Sequence, residues 1–308
     1  MLDLAIFLKS YAPDAHLVAR QIASVEEHNA DGVAYLLAVP DDEVSYFSGL
    51  SSYAKLTVVP ESRLEMPAVT EKVRDFGIGY IEQQIAKLSV HKLGVARNYL
   101  VLDSDAYFIR RFTHDDFLDG AGRGFTVLTE DKDQYADPGY ARFADVRMAK
   151  VNAIADYLEL PARPRRTCHN NTVFSSDALH AFDDWRHEAG LSLVDLMNIA
   201  PMEFSWYNFY LQRYHPELIV PVDPLFRMVH TRSEFRTLIQ QGMTVAALRR
   251  SYVGLCINSG WAGRTQDRLV EKLERGSRWA RGRVLADRAI YRAHLEYDNL
   301  LPPRRPRV

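Results

Sequence analysis

A mixed α/β fold, with a mostly parallel sheet covered by helices on both faces and a helical C-terminal extension, is what this sequence predicts. Short, almost wholly apolar runs alternate with stretches of helical periodicity through the first hundred residues. Those runs lack the in-out alternation of strands that face water on one side, so they belong in a sheet buried on both faces. No internal repeat or low-complexity tract interrupts the series.

The elements follow in order. Residues 4–10, LAIFLKS, read as a buried strand, and residues 15–28 place Leu17, Val18, Ile22 and Val25 on one helical face. VAYLLAV at 33–39 is the next strand and KLTVV at 55–59 another. A helix over 79–93 buries Ile81, Ile85 and Leu88, and YLVL at 99–102 closes the series. Beyond it the order loosens. GFTVLTE (124–130) is strand-like, while DKDQYADPGYAR (131–142), polar and holding Pro and Gly, reads as a mobile loop. Residues 145–158 read as a helix, NTVFSS (171–176) as a short strand leading into a helix from Asp177, and 191–214 as two helices divided at Pro201. LIVPVDPLFRMVH (218–230) holds two short strands around Asp223 and Pro224. Residues 1–260 form one α/β domain on this reading, and 261–308 a basic helical extension.

Composition narrows the class. With 25% charged and 47% apolar residues, the 308-residue chain has an ordinary soluble balance and ample material for a core. Cys168 and Cys256 lie far apart without metal-type spacing, the N-terminus does not read as a cleavable leader, and no apolar run reaches the roughly 18 residues of a membrane span. The expectation is a cytoplasmic protein. The net charge of −2 hides an asymmetry: residues 261–308 hold twelve Lys and Arg against six acids, a local +6, which leaves −8 for the rest. Arg264, Arg268, Lys272 and Arg275 recur at helical spacing. This stretch suits a solvated terminal helix, or a docking surface for anionic lipid or a partner at the inner face of a membrane. The acidic remainder argues against nucleic acid.

Residues 98–112, NYLVLDSDAYFIRRF, carry the chemistry. A D-x-D triplet arises about once by chance in a chain of this size. Here, however, Asp103 and Asp105 sit at the carboxyl end of an apolar strand, the edge where parallel sheets bind ligands. Two carboxylates converging there suit a hard divalent cation such as Mg²⁺ or Mn²⁺. The alternative is helix capping or surface ion pairing. Position adds other candidates. Ser10 and Tyr11 lie at the tip of the first strand, and Gln84 and Lys87 share a helix face just before the acidic strand. Arg110 and Arg111 can offset phosphate charge or face solvent. His169, Asn170 and Asn171 suit sugar hydroxyls or a turn. Glu203 begins an aromatic helix, where the helix dipole favours its ionised form; it is a candidate general base or acceptor-orienting group, or a plain helix cap.

The run at 83–112, with its Gln-Gln-x-x-Lys-Leu helix, its strand ending D-S-D and an aromatic with Arg shortly after, resembles the core of GT-A type nucleotide-sugar glycosyltransferases. In particular it is similar to a bacterial family catalogued as a domain of unknown function. FLKSYAPDAHLVARQIASVEEHN resembles that family's first strand and helix, and PMEFSWYNFYLQ its F-S-x-Y segment. The likeness covers about residues 3–230, and the tail beyond about Gly260 has no counterpart. It implies a GT-A fold and a metal-dependent transfer of sugar from a nucleotide diphosphate sugar to a hydroxyl of a glycan or small acceptor, in bacterial surface glycan synthesis. It implies that Asp105 is the firmer ligand of Mn²⁺ or Mg²⁺, that Asp103 reaches ribose or metal-bound water, and that His230 is the third ligand. Ser10 and Tyr11 would cradle the nucleotide, with Gln84 and Lys87 close to phosphate or sugar. His169, Asn170, Asn171 and Trp206 would meet substrate, Trp206 standing where relatives often carry Glu. Two other functions compete. One is a nucleotide-sugar-binding protein without turnover, which the intact aspartates disfavour. The other is a haloacid-dehalogenase-type phosphohydrolase, whose D-x-D normally opens the first strand, whereas three strand units precede this one.

Overall fold

Each apolar run of the first hundred residues becomes a strand. The chain lays down β1 (Leu2–Lys9), α1 (Ala15–His28), β2 (Ala34–Val39), α2 (Val44–Ser48), β3 (Leu56–Pro60), α3 (Ile78–Leu88), β4 (Ala96–Leu102) and β5 (Ala106–Phe108). It continues with β6 (Thr126–Val127), α4 (Lys132–Ala136), α5 (Ala141–Tyr157), β7 (Thr172–Ser175), α6 (Ser176–Glu188), α7 (Leu193–Ile199) and α8 (Glu203–Tyr214). The last elements are β8 (Pro221–Val222), β9 (Phe226–Val229), α9 (Arg232–Gln240), α10 (Val245–Leu248), β10 (Gly254–Ile257), α11 (Ser259–Ala262) and α12 (Gln266–Arg275). The computed structural model describes residues 1–50, 52–161, 167 and 171–276.

The main sheet runs β3-β2-β1-β4-β7. Its first four strands are parallel, and β7 pairs antiparallel with β4. Alternate side chains of β1 and β4 divide between two cores, because successive residues of a strand point to opposite faces. Ala5, Phe7, Tyr99 and Val101 pack on one face with α3 and α8, while Leu4, Ile6, Leu8, Leu100 and Leu102 pack on the other with α1. Both faces are therefore dry, which is why these strands read as continuous apolar runs.

A second sheet, β5-β10-β9, leans on the carboxyl edge of the first. β10 runs antiparallel to β5 and parallel to β9. Its core joins Tyr107, Val229, Leu255 and Ile257 to Phe235 and Leu238 of α9 and to Leu273 of α12. The helical C-terminal region thus has a packed inner face, and no described helix is long and apolar enough to cross a membrane.

Two expectations need correction. Residues 131–142 are not an irregular loop: α4 and the first turn of α5 lie there, tied down by Asp131, which accepts from Arg147 at 3.2 Å, and by the packing of Tyr135 on Tyr140. The strand expected over 124–130 shrinks to the two residues of β6, because its partner β8 is equally short.

Gly254 sets how closely the second sheet closes. A Cβ there would overlap the Phe226 ring and come within 2.8 Å of the Tyr107 carbonyl oxygen. Gly254→Ala is therefore expected to lower stability by about 1–3 kcal/mol in urea unfolding. A variant as stable as the parent would show that Phe226 moves aside freely.

Candidate functional site

The triplet Asp103-Ser104-Asp105 is the joint between the two sheets. Asp103 follows the last residue of β4, and Asp105 precedes the first of β5. A turn links them, with the Ala106 N–H donating to the Asp103 carbonyl at 3.0 Å. Gln21 of α1 clamps that turn, its amide nitrogen donating to the carbonyls of Asp103 (2.9 Å) and Ala106 (2.8 Å), while the Tyr35 hydroxyl holds the amide oxygen. The backbone of the pair is thus fixed from beneath. Its two carboxylates point to different partners.

Asp103 faces Lys87. The buried Nζ of Lys87, on α3, donates to Asp103 Oδ1 at 2.5 Å and to Glu203 Oε1 at 2.6 Å. Glu203 is the first residue of α8, and Gln84, one turn before Lys87, turns its amide nitrogen toward the Glu203 carboxylate. The ammonium also lies 4.7 Å from the Phe204 ring centroid. Burial alone would weaken the hold of Lys87 on its proton, but Asp103 and Glu203 outweigh it and raise the pKa above the ordinary lysine value.

Asp105 faces the second sheet. Its Oδ1 accepts from the Cys256 thiol at 2.9 Å, and its Oδ2 from the Ser259 N–H at 2.8 Å. Burial pushes the Cys256 pKa well up, so that thiol stays a donor. Burial, then the negative charge of Asp103, also raises the Asp105 pKa. Glu203 is raised too, by burial first, with Asp103 adding to it and Lys87 opposing.

With three carboxylates to one ammonium, the site carries a surplus of negative charge when all are ionised, which adds to the effect of burial in raising Asp105 and Glu203. A dication would balance it. The donors are hard oxygens, and each Asp105 oxygen keeps a second lone pair beyond the bond it already accepts. Among the described residues no three His, Cys, Asp or Glu side chains gather into a metal-holding group. Mn²⁺ or Mg²⁺ would accordingly rest on Asp103 and Asp105, with water and phosphate oxygens completing its shell.

All of this opens into a cavity of about 870 Å³ whose walls include Asp14, Tyr80, Arg147, Glu203 and His230. His230 shares the cavity without joining the aspartates in a three-ligand group. It lies against Tyr140, and burial, with Arg147 and Arg227, lowers its pKa to about 3. Ser10 is buried and Tyr11 exposed at the tip of β1, beside the cavity-lining Asp14. Asn171 accepts the Asp103 N–H at 3.1 Å, which brings it to the joint. His169 and Asn170 lie outside the described residues. Arg110 turns away to pair with Asp116 at 2.7 Å.

The expectation for Trp206 fails: it is fully buried, with its indole N–H donating to the Ala200 carbonyl, so it packs the core rather than meeting a ligand. Glu203 presents its oxygens to Lys87 and Gln84 at 3% exposure, the geometry of a group that positions a cation. Sequence reasoning missed Cys256 and Ser259, because β10 and its following turn carry no motif.

Two substitutions test these electrostatics. Lys87→Met strands the buried carboxylate of Glu203 and leaves the partly exposed Asp103 unpaired, and should destabilise the protein by about 3–5 kcal/mol at neutral pH in denaturant titrations. Asp105→Asn removes a charge that the fold disfavours, so it should raise the melting temperature at neutral pH. That gain should fade as pH falls through the raised Asp105 pKa, where the parent is itself protonated. A melt unchanged or lowered at neutral pH would contradict the assigned strain.

No curated protein matches the chain. Residues 4–155, which run from β1 into α5 and include Lys87, Asp103 and Asp105, match the model of a family of unknown function (DUF6492).

Proposed function

We propose that the chain is a divalent-metal-dependent glycosyltransferase that passes a sugar from a nucleoside diphosphate sugar to a hydroxyl of a glycan or small acceptor. The observation that carries this reading is the pair Asp103 and Asp105, at the carboxyl edge of a parallel sheet, with more negative charge than Lys87 balances. A bound Mn²⁺ or Mg²⁺ would neutralise charge developing on the departing diphosphate. The cavity volume suits a nucleotide-sized ligand.

The roles of the residues follow from their contacts. Asp105, locked by Cys256 and Ser259, supplies a fixed ligand oxygen that need not reorganise as charge develops. Asp103 keeps Oδ2 for metal or ribose while Lys87 holds Oδ1. Glu203 acts as a positioning residue: it fixes the ammonium that orients Asp103. The exposed Tyr11, beside Asp14 at the cavity edge, is placed to cover a base.

A screen of nucleoside diphosphate sugars by mass spectrometry, with Mn²⁺ or with chelator, tests the reading. The expected result is transfer or slow hydrolysis of one donor that needs the metal and falls at least a hundredfold in Asp105→Asn, the substitution expected to stabilise the fold. Turnover indifferent to chelator would remove the metal from the mechanism. Absence of donor binding across the panel would remove the transferase.

A further inference from the structure

The lining of the cavity also carries a basic cluster that the aspartates do not explain. Arg147 and Lys150 lie one turn apart on α5, and both line the cavity. Arg147 is 8% exposed. Its Nη2 meets Asp131 Oδ2 at 3.2 Å, while its Nε–H is buried with no acceptor among the described residues. A buried donor left unpaired is costly, and native structures seldom keep one without a reason. Lys150 stands 4.1 Å from the Phe76 ring centroid, partly buried. Burial lowers its pKa, Arg147 and Arg74 add to this by repulsion, and Asp75 opposes them. An oxyanion would satisfy the orphaned donor and relieve the crowded cations together.

An apolar lip adjoins the cluster. Phe76 and Tyr80 stack with centroids 4.6 Å apart, and Phe143, half exposed, stands at the same opening. The Tyr80 hydroxyl lies within electrostatic reach of Glu203, Lys87, Asp103 and Arg147, and the residue lines the same cavity.

We propose that Arg147 and Lys150 form an anion subsite for the acceptor, binding the phosphate of a phosphate ester whose apolar face rests on Phe76, Tyr80 and Phe143. This rests on the transferase reading and narrows it, from a neutral hydroxyl compound to a phosphorylated one. The diphosphate of the donor belongs with the aspartates and their metal. A sugar phosphate and a lipid phosphate share the required chemistry.

Calorimetry on the full chain, without metal or donor, separates the outcomes, using inorganic phosphate, glucose 1-phosphate and farnesyl phosphate as probes. At least one ester should bind more tightly than inorganic phosphate, and the preferred ester identifies which source the lip fits. Lys150→Met should weaken that ester about tenfold with an unchanged melting temperature, the loss of one charge-assisted bond. Arg147→Lys, which keeps the charge but removes the Nε–H, should weaken it similarly. The proposal is overturned if no ester binds, if both variants bind as the parent does, or if uridine diphosphate displaces the ester, which would give the cluster to the donor. Metal-dependent donor turnover without ester binding would sink this subsite alone. Ester binding without any donor turnover would sink the transferase and leave the anion subsite.

Discussion

Lys87 holds its charge at 1% exposure, and the site is built around that fact. Taking an ammonium out of water costs several kcal/mol unless charged partners surround it. Here the partners come from two distant parts of the chain: Asp103 after β4, and Glu203 with the neighbouring Phe204 ring at the start of α8. The ion pairs therefore fix the height of α3 against α8 and the direction of the Asp103 carboxylate in one step. Neither carboxylate can leave without exposing the cation, and the cation cannot leave without stranding both acids. Such a cluster contributes little net stability compared with apolar packing, but it specifies one arrangement. Specification is what a metal-binding carboxylate requires, since an oxygen that must first find its place loses the advantage of preorganisation.

The same logic explains why the acidic pair spans a joint between sheets. Were both aspartates on one strand, side chains two apart would share a face and repel each other at close range. The turn at Ser104 instead gives Asp103 to the first sheet and Asp105 to the second, so each has its own donors. Gln21 prevents that turn from flexing, because its amide nitrogen bonds both ends of it. The closeness of the second sheet, set at Gly254, carries Cys256 and Ser259 to Asp105. Stability and ligand geometry are coupled through that one strand.

What could be read beforehand follows from how local each signal is. β1, α1, β2 and β4 were legible because strands dry on both faces leave continuous apolar runs, and the break at Pro201 between α7 and α8 is a property of proline itself. Asp103 and Asp105 were legible by their position at a strand end. The ion pair of Lys87 with Glu203 was not, since 116 residues separate the partners and only the packing of α3 on α8 brings them together. Trp206 misled for a related reason: its place in an aromatic helix says nothing about which side of that helix faces the cavity. Residues 131–142 look like loop by composition, yet the polar residues that suggest it include Asp131, whose bond to Arg147 orders the segment. β10 is four residues long with a glycine and a cysteine, too short for periodicity to register.

One cavity is lined both by the acidic group around Asp103 and Asp105 and by the cations Arg147 and Lys150, and on the proposed reading that mixture of charge decides what each part can hold. A metal with a nucleoside diphosphate would bring both charges to the acidic residues, Asp103 and Asp105 holding the dication. An anion lacking metal is repelled there and drawn toward Arg147 and Lys150. Tyr80 lines the same cavity, its proton held above the ordinary tyrosine value by burial and by the charge of Glu203, so at neutral pH it stays a neutral donor. On the proposed reading, the field of the cavity would favour a metal-borne diphosphate at Asp103 and Asp105 and a metal-free phosphate at Arg147 and Lys150, and holding both in one cavity would bring the reacting groups together.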